Sequence, residues 1–178
     1  MAKKTEEAFQ QDDFVVYPTH GVGRILGTES RQIGDTEIEM LVVRFEHDRM
    51  TLRVPMDKAR SLGLRTLSSK KQMEQAITTL QGKARVRRTM WSRRAQEYEA
   101  KINSGDLASI AEVVRDLFRA DDQPEQSYSE RQIFEGACSR LARELAAMEQ
   151  IDEPAAQEKI LEILRQAAAI YNKDKVPA

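Results

Sequence analysis

The chain has 178 residues with almost balanced charge, since 28 Lys and Arg stand against 29 Asp and Glu. A hydrophobic content of 40% supplies enough apolar material for real cores, and the near-neutral total argues against a protein that coats nucleic acid with its whole surface. The single cysteine excludes an internal disulfide, and no apolar run approaches the ~20 residues that a membrane helix needs. The polar start lacks the apolar stretch of a secretory signal, so the sequence predicts a cytoplasmic protein without a membrane partner.

The first part of the chain, residues 12–67, shows the two-residue hydrophobic period of β-strands. Runs rich in β-branched and aromatic residues lie at residues 14–17, 22–30, 37–46, 50–55 and 63–67. Gly34-Asp35 separates the second run from the third, which predicts a tight hairpin. Four or five short strands in about 55 residues bury a core only by curling up, so we expect a small barrel. The polar residues 1–11 are expected to form a flexible tail.

The second part of the chain, residues 68–172, shows the hydrophobic period of helices. Helix caps or stops are expected at Ser68 or Ser69, Gly82, Ser104-Gly105, Asp106, Ser127, Ser129 and Pro154. Four or five amphipathic helices of this length pack as a compact all-α bundle, with a short tail at residues 173–178. The predicted fold class is therefore α+β in two domains, a small β-barrel followed by a helical bundle.

Within the second part the charge becomes uneven. The basic segment, residues 83–94, contains six cations and no anion, and it carries the only tryptophan, Trp91. Cations at this density suit a polyanion, because each phosphate contact releases condensed counterions. The helix stripes supply a core without Trp91, and its expected neighbours on a helical surface are Arg87, Arg88, Arg94 and Ala95. We therefore predict an exposed ring that enters the minor groove of DNA, the alternatives being a solvated charged surface and a core tryptophan.

The N-terminal motifs carry a resemblance to a known family. Val16-Tyr17-Pro18-Thr19-His20-Gly21-Val22-Gly23, followed by Leu52-Arg53-Val54-Pro55, resembles the CarD/CdnL family of bacterial transcription regulators and the polymerase-binding domain of transcription-repair coupling factors. The resemblance implies that residues 12–67 form a Tudor-like (SH3-like) barrel that binds the β subunit of RNA polymerase. By position it assigns Arg31 and Arg53 to the polymerase-facing surface, where the fork-shaped guanidinium suits carboxylates. The alternative is that both are solvated charges on strand surfaces.

The same family pattern continues through the helical part. Trp91-Ser92-Arg93-Arg94 and Ser104-Gly105-Asp106-Leu107 follow it, as does the run Ala111-Glu112-Val113-Val114-Arg115-Asp116-Leu117. The resemblance covers residues 12–172 and implies that the helical domain lies on promoter DNA just upstream of the transcription bubble, with Trp91 as a wedge in the minor groove. The cations that we expect to hold phosphates without reading sequence are Arg85, Arg87, Arg88, Arg93 and Arg94.

The leading interpretation is thus a monomeric regulator that stabilises the open promoter complex through two contacts, one to polymerase and one to DNA. An adaptor whose helical domain binds another protein is the main alternative, and a steep salt dependence of DNA binding would separate the two. A free-standing DNA-binding protein would need a recognition helix or zinc finger, which the sequence does not show.

An enzyme is disfavoured by the motifs. The sequence has no phosphate-binding glycine loop and no Ser/His/Asp or Cys/His set, and Cys138 lies in an apolar helix stripe that predicts a core position. His20 and His47 stand far apart without metal-ligand spacing, so we assign no catalytic residue, metal or cofactor.

Overall fold

The computed structural model describes residues 9–121 and 123–173. The chain divides into two compact units, one extending to Thr66 and one beginning at Leu67. The first unit is built from strands and the second from helices, so the predicted α+β class is confirmed. None of the helices in the described ranges is long and apolar enough to cross a membrane.

The first unit is an antiparallel sheet of five strands in the order β4-β3-β2-β1-β5. The strands are β1 (Phe14–Tyr17), β2 (Gly21–Ile33), β3 (Thr36–Phe45), β4 (Met50–Pro55) and β5 (Arg65–Thr66). Ile33 pairs with Thr36 across the two-residue loop, which confirms the predicted hairpin, and Gly34 has the positive φ of 62° that a glycine accepts at no steric cost. β5 is two residues long, shorter than the predicted run.

The core of this unit lies on one side of the sheet. Leu41, Val43 and Phe45 alternate along β3, and they are buried together with Ile25 of β2. Phe9 also belongs to this core, with 9% of its surface exposed. The guanidinium carbon of Arg60 lies 5.0 Å from the centroid of the Phe9 ring. The expectation of a flexible tail over residues 1–11 is therefore wrong for Phe9. Burial stabilises a large aromatic ring even where its neighbours in the sequence are polar. Residues 1–8 lie outside the described ranges.

The second unit contains α1 (Lys70–Leu80), α2 (Trp91–Asn103), α3 (Leu107–Leu117), α4 (Tyr128–Glu149) and α5 (Glu153–Lys173). Three predicted caps are confirmed. The Ser69 hydroxyl accepts the backbone N–H of Gln72, the Asp106 carboxylate accepts that of Ser109, and the Ser127 hydroxyl accepts that of Glu130. α2 differs, since the residue before it provides no side-chain cap.

The helices enclose a single apolar core, to which α3 and α4 contribute the largest share. Cys138 is buried in it with 1% exposure, which confirms its predicted core position. Desolvation and the negative charge of Glu135 raise the pKa of this thiol to about 11, so the thiol stays protonated at neutral pH. This keeps the thiolate, the reactive form, out of the core.

Replacing glycine by alanine is expected to have opposite effects on stability at two positions, Gly23 and Gly136. A Cβ on Gly23 would lie 2.7 Å from Phe45 Cε1 and 2.8 Å from Val43 Cγ1, whereas one on Gly136 in α4 would meet nothing within 4 Å. We expect Gly23→Ala to lower the free energy of unfolding of the sheet by about 1–3 kcal/mol through overpacking. Gly136→Ala should raise that of the helical unit by about 0.5–1 kcal/mol, because alanine reduces the entropy lost on forming a helix. Urea denaturation of the two variants measures both, and a neutral Gly23→Ala would contradict the close approach.

Candidate nucleic-acid and polymerase interfaces

The basic segment is held in place by one buried carboxylate. Asp116 of α3 is only 5% exposed, and its Oδ1 accepts two hydrogen bonds, one from the backbone N–H of Arg85 at 2.9 Å and one from Nε of Arg115 at 2.8 Å. A buried carboxylate needs such partners to offset the loss of hydration. Asp116 therefore fixes the backbone of the segment at Arg85, while the Arg85 side chain stays exposed.

The side chains of Arg85, Arg87, Arg88 and Arg93 are all exposed. Within residues 9–121 and 123–173 none of them forms an ion pair with an acidic side chain, in contrast to Lys101, whose Nζ lies 2.8 Å from Glu112 Oε2. Their charge is therefore not compensated locally, and it remains available to an anionic ligand.

Trp91 begins α2, and its ring is half-buried at the edge of the helical core. The indole Nε1–H donates a hydrogen bond of 2.9 Å to Oγ of Ser129 in the first turn of α4. Its ring centroid lies 6.3 Å from that of Tyr98, with the planes tilted by 46°. The indole is thus fixed at one end by a hydrogen bond and along one side by a second aromatic ring.

The prediction of an exposed Trp91 ring is wrong, since the residue is half-buried. Gly82 to Met90 form no helix, so Arg87 and Arg88 do not lie beside the indole on a helical surface as expected. Of the predicted neighbours only Arg94 is confirmed as a ring contact. The side chain that is fully exposed at this place is Met90, with 78% of its surface accessible.

Arg94 differs from the other arginines of the segment. Its guanidinium carbon lies 5.4 Å from the Trp91 ring centroid and 5.8 Å from that of Tyr98, and Nη2 lies 3.5 Å from the Tyr98 hydroxyl. Its Nε is buried and has no hydrogen-bond partner among the described residues. Cation–π contacts of this kind are worth about 0.5–2 kcal/mol. Arg94 is therefore positioned to orient the indole as well as to contribute charge.

Sequence reasoning missed the two residues that hold the indole. Tyr98 lies seven positions after Trp91, two helical turns along α2, so helical periodicity alone could have identified it. Ser129 lies 38 residues away, and no local pattern connects it with the ring.

The sheet carries a second group of predicted residues. Nε of Arg53 donates a hydrogen bond of 2.9 Å to Oε2 of Glu29 on β2. This hydrogen bond, the charge of Arg53 and the charge of nearby Arg31 together lower the pKa of the Glu29 carboxyl. The structure therefore brings Arg31 and Arg53 to the same carboxylate, although they lie 22 positions apart in the sequence.

The strand register shows what lies between these two cations. Arg31 pairs with Ile38, Glu29 with Met40, and Arg53 with Val42, and residues paired across neighbouring strands share one side of a sheet. We call the surface formed by Glu29, Arg31, Ile38, Met40 and Arg53 the sheet patch. Ile38 and Met40 are half-buried in it. Half-buried apolar residues flanked by arginines are typical of protein–protein interfaces.

The histidines supply no comparable site. The His20 ring stacks on Tyr17 at a centroid distance of 5.7 Å and packs on Phe45 at 5.4 Å. His20 Nδ1 lies 3.6 Å from the Asp48 carboxylate. Within the ranges that the structure describes, no group of three or more His, Cys, Asp or Glu side chains could hold a metal ion.

Two family models match the chain. The one described as the CarD C-terminal domain covers residues 75–161, and the one described as the CarD-like/TRCF RID domain covers residues 9–68. The chain is also 29% identical over 145 residues to YdeB of Bacillus subtilis (strain 168), a stretch that spans 82% of this chain and 95% of YdeB. The name of YdeB marks it as a candidate transcription factor. The sheet patch and the basic segment each lie within a matched segment.

The Trp91–Ser129 hydrogen bond generates a prediction that fluorescence can test, since Trp91 is the only tryptophan. We expect Ser129→Ala to leave the indole more mobile, with a lower steady-state anisotropy and stronger quenching by acrylamide. Ser129→Thr keeps the hydroxyl and should behave like the wild type, and Ser92→Ala is a control for the loss of a nearby exposed serine. Equal anisotropy in Ser129→Ala and the wild type would show that the ring packing alone holds the indole.

Proposed function

The chain belongs to the CarD family of bacterial RNA polymerase-binding transcription regulators, and from this premise we propose that it stabilises the open promoter complex through two contacts. The sheet unit binds the β subunit of RNA polymerase. The helical unit binds promoter DNA at the upstream edge of the transcription bubble, with Trp91 as a wedge in the minor groove. The protein acts as a monomer and as a regulator, not as an enzyme.

The observation that carries this proposal is the position of Trp91. It lies near the end of the basic segment, and contacts with other side chains fix its ring. Four exposed arginines of this segment have no acidic partner within the described ranges; three precede Trp91 in the sequence and one follows it. Ser129 and Arg94 hold the Trp91 ring in one orientation. The arginines attract phosphates of any sequence, and the ring provides an apolar surface for an unstacked base. These contacts favour a wedge role for Trp91, because its side chain is already ordered and loses little further entropy when it binds DNA.

The sheet patch supports the polymerase contact. We propose that the five strands curl into a Tudor-like barrel that presents Arg31 and Arg53 on either side of Ile38 and Met40. A carboxylate of the β subunit would take the place of Glu29 on Arg53. The Glu29–Arg53 ion pair is exposed to solvent, which weakens it, so exchanging one carboxylate for another costs little.

The two contacts act together through effective concentration. Docking on polymerase holds the helical unit near the DNA, so the DNA contact can be weak by itself and still be occupied. The open complex is favoured only to the extent that the protein binds melted DNA more tightly than closed DNA. The wedge supplies that difference, because a side chain placed against unstacked bases gains nothing from an intact duplex.

The first test of this proposal concerns Trp91. The wild type should lengthen the lifetime of competitor-challenged open complexes of bacterial RNA polymerase. Trp91→Ala should lose most of that effect, since a base–aromatic contact contributes ~1–3 kcal/mol. Trp91→Phe keeps an aromatic ring and should retain part of it, which controls for damage to the edge of the core. Full lengthening by Trp91→Ala would remove the wedge from the mechanism, and no lengthening by the wild type would favour a protein–protein adaptor.

The second test concerns Arg53. Arg53→Glu places a second carboxylate beside Glu29, and we expect binding to RNA polymerase to weaken by about tenfold or more, because the reversed charge repels the carboxylate that the arginine would attract. The control Lys58→Glu makes the same charge change at another exposed position of the sheet unit. Surface plasmon resonance on immobilised polymerase measures both variants.

A double variant separates the interface from the fold. Combining Arg53→Glu with Glu29→Arg restores an ion pair within the sheet but reverses its polarity. If the arginine at position 53 contacts polymerase, the double variant stays folded by circular dichroism and still fails to bind. Recovery of full binding would show that the Glu29–Arg53 pair serves the sheet rather than the partner.

A further inference from the structure

We propose that Met90 and Tyr128, the residues next to Trp91 and Ser129 in the sequence, are two further apolar contacts to the melted DNA. This inference rests on the proposed function and extends its DNA-binding surface from one side chain to three. It assigns a role to a residue of α4, an element to which the cationic sequence motif does not extend.

The hydrogen bond between Trp91 and Ser129 places the start of α2 next to the start of α4. Met90 immediately precedes Trp91, and Tyr128 immediately precedes Ser129. Successive Cα atoms lie ~3.8 Å apart, so the backbones of Met90 and Tyr128 directly flank the bonded pair. Two side chains from distant parts of the sequence are thereby brought to one place on the surface.

Both side chains project into solvent. Met90 and Tyr128 are each 78% exposed, the highest values among the large hydrophobic residues that the structure describes. The core below is complete without them, since Trp91, Phe118 and Phe134 cover its edge from the half-buried positions. Exposed apolar side chains that cluster in this way indicate a binding surface.

The surrounding charge indicates which kind of partner fits this surface. Residues 83–96 contain no acidic residue, and the exposed cations Arg87, Arg88 and Arg93 lie next to Met90 and Trp91 in the chain. In the first turn of α4, Glu130 is engaged by Arg119, with Nη2 and Oε2 3.5 Å apart, and Arg131 follows it as a further exposed cation. Apolar side chains among cations match bases that are exposed within a phosphate backbone.

The two side chains suit different parts of that task. Tyr128 carries a rigid aromatic ring that can stack on an unpaired base, and tyrosine loses little conformational freedom when it does so. Met90 is flexible and polarizable, which allows it to fill the irregular space left where a base step opens. The Trp91 ring is held by Ser129 and Arg94, so it is the fixed part of this surface.

The test compares open-complex lifetimes with the full-length wild type, Trp91→Ala, Met90→Ala, Tyr128→Ala and Tyr128→Phe. We expect Met90→Ala and Tyr128→Ala each to reduce the lengthening by about threefold or more, and Tyr128→Phe to retain it, because stacking needs the ring and not the hydroxyl. Ile151→Ala is the matched control. Ile151 is an exposed residue of the same unit just beyond the C-terminal end of α4, a helix roughly 30 Å long that begins at Tyr128.

The outcomes separate this inference from the proposed function. If the wild type lengthens the lifetime and Trp91→Ala does not, but Met90→Ala and Tyr128→Ala equal the wild type, then the inference is overturned and the proposed function stands. If the wild type has no effect, both fail. Losses of equal size in Ile151→Ala would also overturn the inference, because they would reflect the apolar surface in general. Thermal unfolding of each variant verifies that it is folded.

Discussion

The hydrogen bond from the Trp91 indole to Ser129 is the interaction on which the candidate DNA surface depends. It joins the first turns of α2 and α4 through two residues that are 38 positions apart in the sequence, and it fixes the orientation of the ring that Arg94 and Tyr98 also contact. The hydrophobic core under α2 and α4 keeps both helix starts in register. The indole thus loses most of its conformational entropy when the unit folds. This loss does not occur again on binding, so it does not weaken the affinity for DNA.

The arginines of the two units differ in whether an acidic side chain already pairs with them. Arg53 is already paired with Glu29, and its hydrogen bond and charge lower the pKa of that carboxyl. Under the proposed function, a partner that binds Arg53 has to exchange with Glu29, which favours a ligand that presents a carboxylate of its own in suitable geometry. Arg87 and Arg88 have no acidic partner among the described residues, so any phosphate is sufficient for them. Pairing in the sheet favours specificity, and its absence in the basic segment favours general attraction.

Local signals in the sequence predicted the elements well. The Gly34-Asp35 hairpin and the caps at Ser69 and Asp106 depend on residues within three or four positions of one another, and all of them are confirmed. The half-buried state of Trp91 was not predicted, because it depends on a serine in another helix and on the irregular backbone of the segment before it. Phe9 was missed for a related reason. One aromatic residue in a polar run shows no period, and only the folded sheet provides its core position.

Under the proposed function, affinity and selectivity for the melted state come from different side chains. Phosphates are present in closed and open DNA alike, so the arginines increase binding to both and shift the equilibrium between them little. Apolar side chains contribute mainly where bases have left the stack, so a preference for the open complex must come from them. A single half-buried indole offers limited area for that purpose. As further contacts of the kind we propose, the exposed Met90 and Tyr128 would enlarge the apolar surface without adding charge, and would thereby increase the difference in affinity on which stabilisation of the open complex depends.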